Sequence, residues 1–124
     1  MVLVIGGAYQ GKLDYVLENY PGRTVFKCSA DDPEIDTTAD VIDALHLAAL
    51  ARIRKGSDTL GYLDEILPKL SSKIVICDDI SCGVVPIDNE TRKWRETTGR
   101  AMTKLSKSAD VVIRVFCGIG SRIK

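Results

Sequence analysis

The sequence predicts an α/β fold, with a mostly parallel sheet of about four to five strands and helices flanking it. Three observations predict it. Short apolar, β-branched runs alternate with helical patterns, which is the order that builds right-handed crossovers between parallel strands. The runs are continuously apolar and do not alternate with polar residues, as expected when helices cover both faces of a sheet. The first run, Val2 to Ile5, passes straight into the glycine-rich stretch GGAYQGK.

The first helix is expected to start inside that stretch near Gly11 and to stop before Pro21-Gly22. Thr24 to Lys27 reads as the second strand. The segment CSADDPEIDTT, residues 28–38, is polar and turn-rich, so it reads as a surface loop whose terminal hydroxyls suit a helix cap at Ala39. From there ADVIDALHLAALARIRKG reads as one buried helix, with Val41, Ile42, Leu45, Ala49 and Ile53 as its apolar stripe and Gly56 as its stop. A further helix runs through Leu60, Leu63, Ile66 and Leu67 until Pro68 ends or kinks it. Lys73 to Cys77 is the third strand. The last helix begins near Asp88 or Asn89 and puts Trp94, Thr98, Ala101 and Leu105 on one face. Asp110 to Phe116 closes the sheet.

A chain of 124 residues with 45% hydrophobic content is expected to form one domain, residues 1–124. Its 17 basic and 17 acidic side chains cancel, which argues against nucleic acid or an anionic membrane as partner. No apolar run reaches the roughly 20 residues needed to span a bilayer, and MVLVIGG does not read as a signal peptide, so a soluble cytoplasmic protein is expected. Cys28, Cys77, Cys82 and Cys117 lack a CxxC pairing and read as buried free thiols.

The chemistry concentrates in two places. GGAYQGK has the GxxxxGK spacing of a phosphate-binding loop, which makes the predicted fold P-loop NTPase-like. In such a loop, successive main-chain amides point inward at a phosphate and the following helix adds its positive end. Gly6, Gly7, Ala8, Tyr9, Gln10, Gly11, Lys12 and Leu13 are the candidate nucleotide-binding residues, with Lys12 placed to reach the β- and γ-phosphates. Leu13 stands where a Ser or Thr normally ligates magnesium, so Mg2+ binding is expected to be weakened. A tight strand-to-helix turn without a ligand is the competing reading. The second place is KIVICDD, a strand ending in Asp78 and Asp79, both candidates for catalysis and for holding Mg2+; solvated acids at a strand end are the alternative.

The C-terminal third sharpens this. SCGVVP, a basic helix containing RKWRETTGR and the terminus FCGIGSRIK follow the acids in order. With GGAYQGK, this arrangement resembles the adenosylcobinamide kinase and adenosylcobinamide-phosphate guanylyltransferase family, over residues 1–13 and 74–124. The resemblance implies a nucleotide-binding α/β domain that assembles as a trimer and uses ATP or GTP to phosphorylate a corrinoid alcohol. Full-length members then exchange the phosphate for GMP through a guanylylated histidine. By the same resemblance Asp79 falls where the enzymes carry Glu, and Gly83 and Pro86 fall on the turn after it. Arg92, Arg95, Gly99 and Arg100 match the basic helix, and Gly118, Gly120 and Lys124 match the terminus. Met102-Thr103 replaces an Asn-Gln pair, and residues 28–70 show no segment like the one that carries the nucleophilic histidine.

His46 reads as a packed histidine on a helix face with Ile42, Leu50 and Ile53, and Trp94 as a core anchor. Arg92, Arg95 and Arg100 fit either phosphate contacts or a solvated face. Three functions remain open. The first is a compact kinase of cobinamide-type alcohols, with guanylyl transfer doubtful. The second is a non-catalytic nucleotide or corrinoid binder acting as sensor or scaffold. The third is a phosphate-loop kinase for an unrelated alcohol.

Overall fold

The computed structural model describes residues 1–80 and 87–124, so Cys82, Gly83 and Pro86 lie outside the described residues. One sheet of six strands runs β2-β3-β4-β1-β5-β6. In chain order these are β1 (Val2–Gly6), β2 (Val25–Lys27), β3 (Val41–Asp43), β4 (Ile74–Asp78), β5 (Val111–Phe116) and β6 (Ile119–Arg122). The helices are α1 (Lys12–Asn19), α2 (Leu45–Arg54), α3 (Thr59–Ile66) and α4 (Asn89–Ser108), and a 3-10 turn (Leu67–Leu70) extends α3. All neighbouring strands are parallel except β5 and β6, which form an antiparallel hairpin.

The helices divide between the two faces. Val16 of α1 packs with Val4, Val41, Ile74, Ile76, Ile113 and Val115 on one face. On the other, Leu45, Ala48, Leu63, Ala101 and Leu105 from α2, α3 and α4 cover Leu3, Ile42, Val75 and Val112. Alternate strand residues therefore enter different cores, and β1, together with β3 and β4 up to their closing aspartates, is apolar because both faces are covered.

Two elements differ from the sequence expectation. Val41 and Ile42 do not belong to a helix that starts at Ala39; they form β3, hydrogen-bonded between β2 and β4. Ala44 then takes a left-handed conformation (φ 58°), and α2 begins only at Leu45. A run buried on both sides looks alike in sequence whether it is strand or helix, and only pairing with a neighbour separates the two. The second difference is β6, whose residues pair back on β5 through a turn in which Cys117 (φ 50°) and Gly118 (φ 77°) are both left-handed. That turn leaves Cys117 exposed, unlike buried Cys28 and Cys77.

The last helix starts where expected. Asp88 accepts hydrogen bonds from the amides of Glu90 and Thr91, a side-chain cap for the first turn. At the other end, the Lys124 ammonium donates to the carbonyls of Ser106 and Lys107, at 2.8 and 3.2 Å, and satisfies the last turn of α4. No helix among the described residues is long and apolar enough to cross a membrane.

Candidate functional site

The chain leaves β1 toward α1, on one face of the sheet, and leaves β4 toward α4, on the other. Between those diverging connections the C-terminal ends of β1 and β4 lie side by side, with Gly6 opposite Asp78. Such a switch point is where open α/β sheets form their ligand crevices. Here it opens into a cavity of about 370 Å³ lined by residues 8–14, Lys27, Asp43, Ala44, His46, Leu47 and Asp78.

Glycine shapes the near wall for steric reasons. A Cβ on Gly6 would stand 2.5 Å from the Val115 carbonyl oxygen, so no side chain fits where β1 hands over to the loop. Gly11 sits at φ 82°, which lets the chain turn directly into α1. Between them Tyr9 is also left-handed (φ 59°), with its ring fully solvent-exposed. The loop is tied from outside by the β5-β6 turn. Cys117 N–H donates to Gln10 Oε1 at 2.7 Å, and Gly118 N–H donates to the Gln10 carbonyl at 2.8 Å. Gly120 serves the same docking, because a Cβ there would stand 2.3 Å from the Tyr15 ring.

Held this way, the main-chain amides from Gly7 to Asp14, apart from the turn at Ala8 and Tyr9, make no main-chain hydrogen bond among the described residues. The residues that carry them, 8–14, line the cavity and lead into the positive end of α1. That is the arrangement that receives an anion. Lys12 is only 7% exposed, with its ammonium 2.6 Å from the Gly7 carbonyl and 2.6 Å from Asp78 Oδ1.

Asp78 holds the other side of the crevice together. Its N–H donates to His46 Nδ1 at 3.2 Å, and its Oδ2 lies 3.5 Å from His46 Nε2. An Nδ1 that accepts leaves the neutral ring's proton on Nε2, facing the carboxylate. Burial pushes the His46 pKa below the ordinary imidazole value and outweighs the opposing pull of Asp78. The His46 carbonyl accepts from Trp94 Nε1 at 2.6 Å, and the two rings stack with centroids 6.2 Å apart. His46 therefore does not share a helix face with Ile42; it occupies the first turn of α2 and links α4 to the strand-end acid. Trp94 is half-buried beside it, while Thr98, Ala101 and Leu105 fill the core.

The two predicted acids separate. Asp78 enters the cavity, whereas Asp79 is half-buried outside its lining and its amide donates to the Gly6 carbonyl at 2.8 Å. Among the described residues no three His, Cys, Asp or Glu side chains converge on a metal position. Magnesium needs only one or two protein carboxylates beside phosphate and water, so Asp78 fits as its protein ligand while Leu13 supplies no oxygen. On α4, Arg92 is exposed and Arg100 pairs with Glu96 at 2.6 Å on the surface. Met102 packs against the core, and the Thr103 hydroxyl donates to the Gly99 carbonyl.

A family model described as cobinamide kinase / cobinamide phosphate guanyltransferase matches residues 35–123. The chain belongs to the cobinamide kinase / guanyltransferase family. The match runs from the approach to β3 through β6, so it takes in Asp43, His46, Asp78 and Trp94. It also takes in residues 35–70, which the sequence reading had set outside the resemblance, and it leaves the glycine loop outside. No curated protein matches the chain. The membership places the protein with cobalamin biosynthesis and with kinase and transferase chemistry.

Sequence reasoning missed Asp43. It ends β3 and lines the cavity, yet within a supposed helix it looked like one polar residue among apolar ones. The readable signal was VID itself, a short β-branched run closed by an acid, as in KIVICDD.

Proposed function

We propose that the protein binds ATP or GTP in the crevice between the glycine loop and Asp78 and phosphorylates the hydroxyl of a cobinamide-type corrinoid. One observation carries this reading: buried Lys12, in the glycine loop that lines the cavity, faces a carboxylate at the sheet's switch point. Phosphoryl transfer depends on positioning and on electrostatic stabilisation of the moving phosphoryl group, and these residues supply both. The amides and Lys12 stabilise charge on the β- and γ-phosphates. Asp78 orients Lys12 and would offer a carboxylate to Mg2+, which would supply charge neutralisation for the terminal phosphates.

Only the kinase half of the family's chemistry is assigned. A histidine nucleophile needs a free ring nitrogen, and both nitrogens of His46 face Asp78. Leu13 favours a second reading, a nucleotide- or corrinoid-binding relative without turnover, since the residue beside Lys12 has no metal-binding oxygen.

The test combines binding and turnover. Labelled ATP and GTP are titrated with and without magnesium, then cobinamide is added and phosphate transfer is followed. Transfer supports the kinase; tight binding that magnesium does not improve, without transfer, supports the binding relative. Failure to bind either nucleotide removes the kinase and leaves only a corrinoid-binding relative.

A further inference from the structure

Besides Asp78 the crevice contains a second strand-end carboxylate, set apart from the glycine loop and its Asp14. Asp43 is 9% exposed and closes β3, with Lys27 of β2 directly opposite it in register. Both line the same cavity as the glycine loop. Asp78 is ion-paired with Lys12 and approached by His46. Asp43, by contrast, enters no ion pair among the described residues.

Local backbone geometry keeps it there. Ala44, immediately after Asp43, holds a left-handed conformation (φ 58°) that costs a non-glycine residue about 1 kcal/mol or more. The turn ends β3 and begins α2 at once, so Asp43 and His46 both line the cavity. Burial raises the Asp43 carboxyl above the usual range, against the lowering effects of the Ala44 amide and Lys27. Across the sheet from the loop the cavity holds two strand-end carboxylates, Asp78 tied to a cation and Asp43 in no ion pair among the described residues, a pair suited to divide between stabilising charge and accepting a proton. The spacing suits that division. β3 is separated from β1 by β4 alone, and the register sets Asp43 level with Val4, two strand spacings or about 10 Å across the sheet and two residues before Gly6. That gap leaves room for a terminal phosphate on the loop and an alcohol in front of it.

Resting on the nucleotide-binding reading above, we propose that Asp43 is a catalytic residue of the acceptor subsite and receives the proton of the attacking hydroxyl, with Lys27 beside it contacting the acceptor. In this step the hydroxyl oxygen forms a bond to the γ-phosphorus as the bond from that phosphorus to the β–γ bridging oxygen breaks. The nucleoside diphosphate leaves with that electron pair. The hydroxyl proton passes to the Asp43 carboxylate and from there to solvent.

The experiment uses the full chain with Asp43→Asn, Asp43→Glu and Lys27→Ala. It measures ATP and GTP affinity, transfer of labelled γ-phosphate to cobinamide, and cobinamide binding beside a non-hydrolysable nucleotide. Asp43→Asn is expected to keep nucleotide affinity within about twofold and to lose about 100-fold or more in transfer, the usual contribution of a positioned base. Asp43→Glu is expected to recover part of that loss, and Lys27→Ala to weaken cobinamide binding severalfold. If Asp43→Asn does not fold, the exposed Lys27→Ala variant still decides, and unchanged cobinamide binding and transfer in it overturns the subsite. Parental transfer by Asp43→Asn, or equal loss of nucleotide affinity and transfer, overturns the proposal alone. A parent protein that binds nucleotide but transfers nothing overturns the kinase reading and this step together.

Discussion

The Lys12 ammonium and the Asp78 carboxylate meet at 2.6 Å, at the ends of adjacent strands, with the lysine almost wholly buried. Any phosphate entering the glycine loop must share this cation with the acid. Phosphate affinity and the stability of the crevice are therefore coupled through one ion pair.

Replacing Lys12 with Ala is expected to weaken ATP and GTP binding by about 10- to 100-fold, the worth of a charge-assisted hydrogen bond. It also strands Asp78, so the melting temperature should fall. Lys12→Ala combined with Asp78→Asn should recover the melting temperature without recovering nucleotide affinity. Calorimetric titration and thermal melts read the two effects separately, and recovery of affinity in the double variant would contradict the assignment.

Leu13→Ser adds a hydroxyl beside Lys12 at the start of α1. Magnesium is expected to improve nucleotide affinity in this variant by about tenfold more than in the parent, equivalent to about 1.4 kcal/mol from one added ligand. Titrations with and without magnesium check it. An unchanged magnesium effect would mean that the side chain at this position does not reach the metal.

Acidification is expected to destabilise the protein through His46. Its folded pKa lies below the ordinary imidazole value of 6.5, so between the two values the unfolded chain binds more protons. Stability is full above pH 6.5 and declines as pH falls toward the folded pKa. His46→Gln can still accept from the Asp78 amide but cannot titrate, so its melting temperature should fall less between pH 7.5 and about 5.5. Parallel melting curves for parent and variant across that range would refute the assignment.

Two glycines should respond differently to added bulk. Gly6→Ala drives a methyl into the Val115 carbonyl, a main-chain atom that no side-chain change can move, and should cost about 1–3 kcal/mol. Gly120→Ala instead strikes the Tyr15 ring. Tyr15→Leu should therefore rescue Gly120→Ala and not Gly6→Ala, as read by chemical denaturation.

Much of the architecture was legible because the relevant signals are local. A β-branched run followed by GGAYQGK carries its own turn and helix start, and α1 does begin at Lys12. Asp88 ahead of Asn89 announced the cap of α4, and Pro68 announced the end of α3 in a 3-10 turn. Asp78 was visible as the acid closing a continuous apolar strand.

What the sequence determined by itself is whatever depends on neighbours along the chain: the glycine-to-lysine spacing, the starts of α1 and α4 and the strand that delivers Asp78. Tertiary structure decided what depends on neighbours across the sheet. Val41 and Ile42 became strand because β2 and β4 flank them, and that pairing turned Asp43 from a polar residue in a supposed helix into a wall of the crevice. The same holds for His46, which the turn at Ala44 brings to Asp78, and for the C-terminal glycines, which dock on Gln10 and Tyr15 about a hundred residues earlier. Periodicity cannot record such contacts, because burial on both faces erases the difference between strand and helix and only hydrogen-bonded partners restore it.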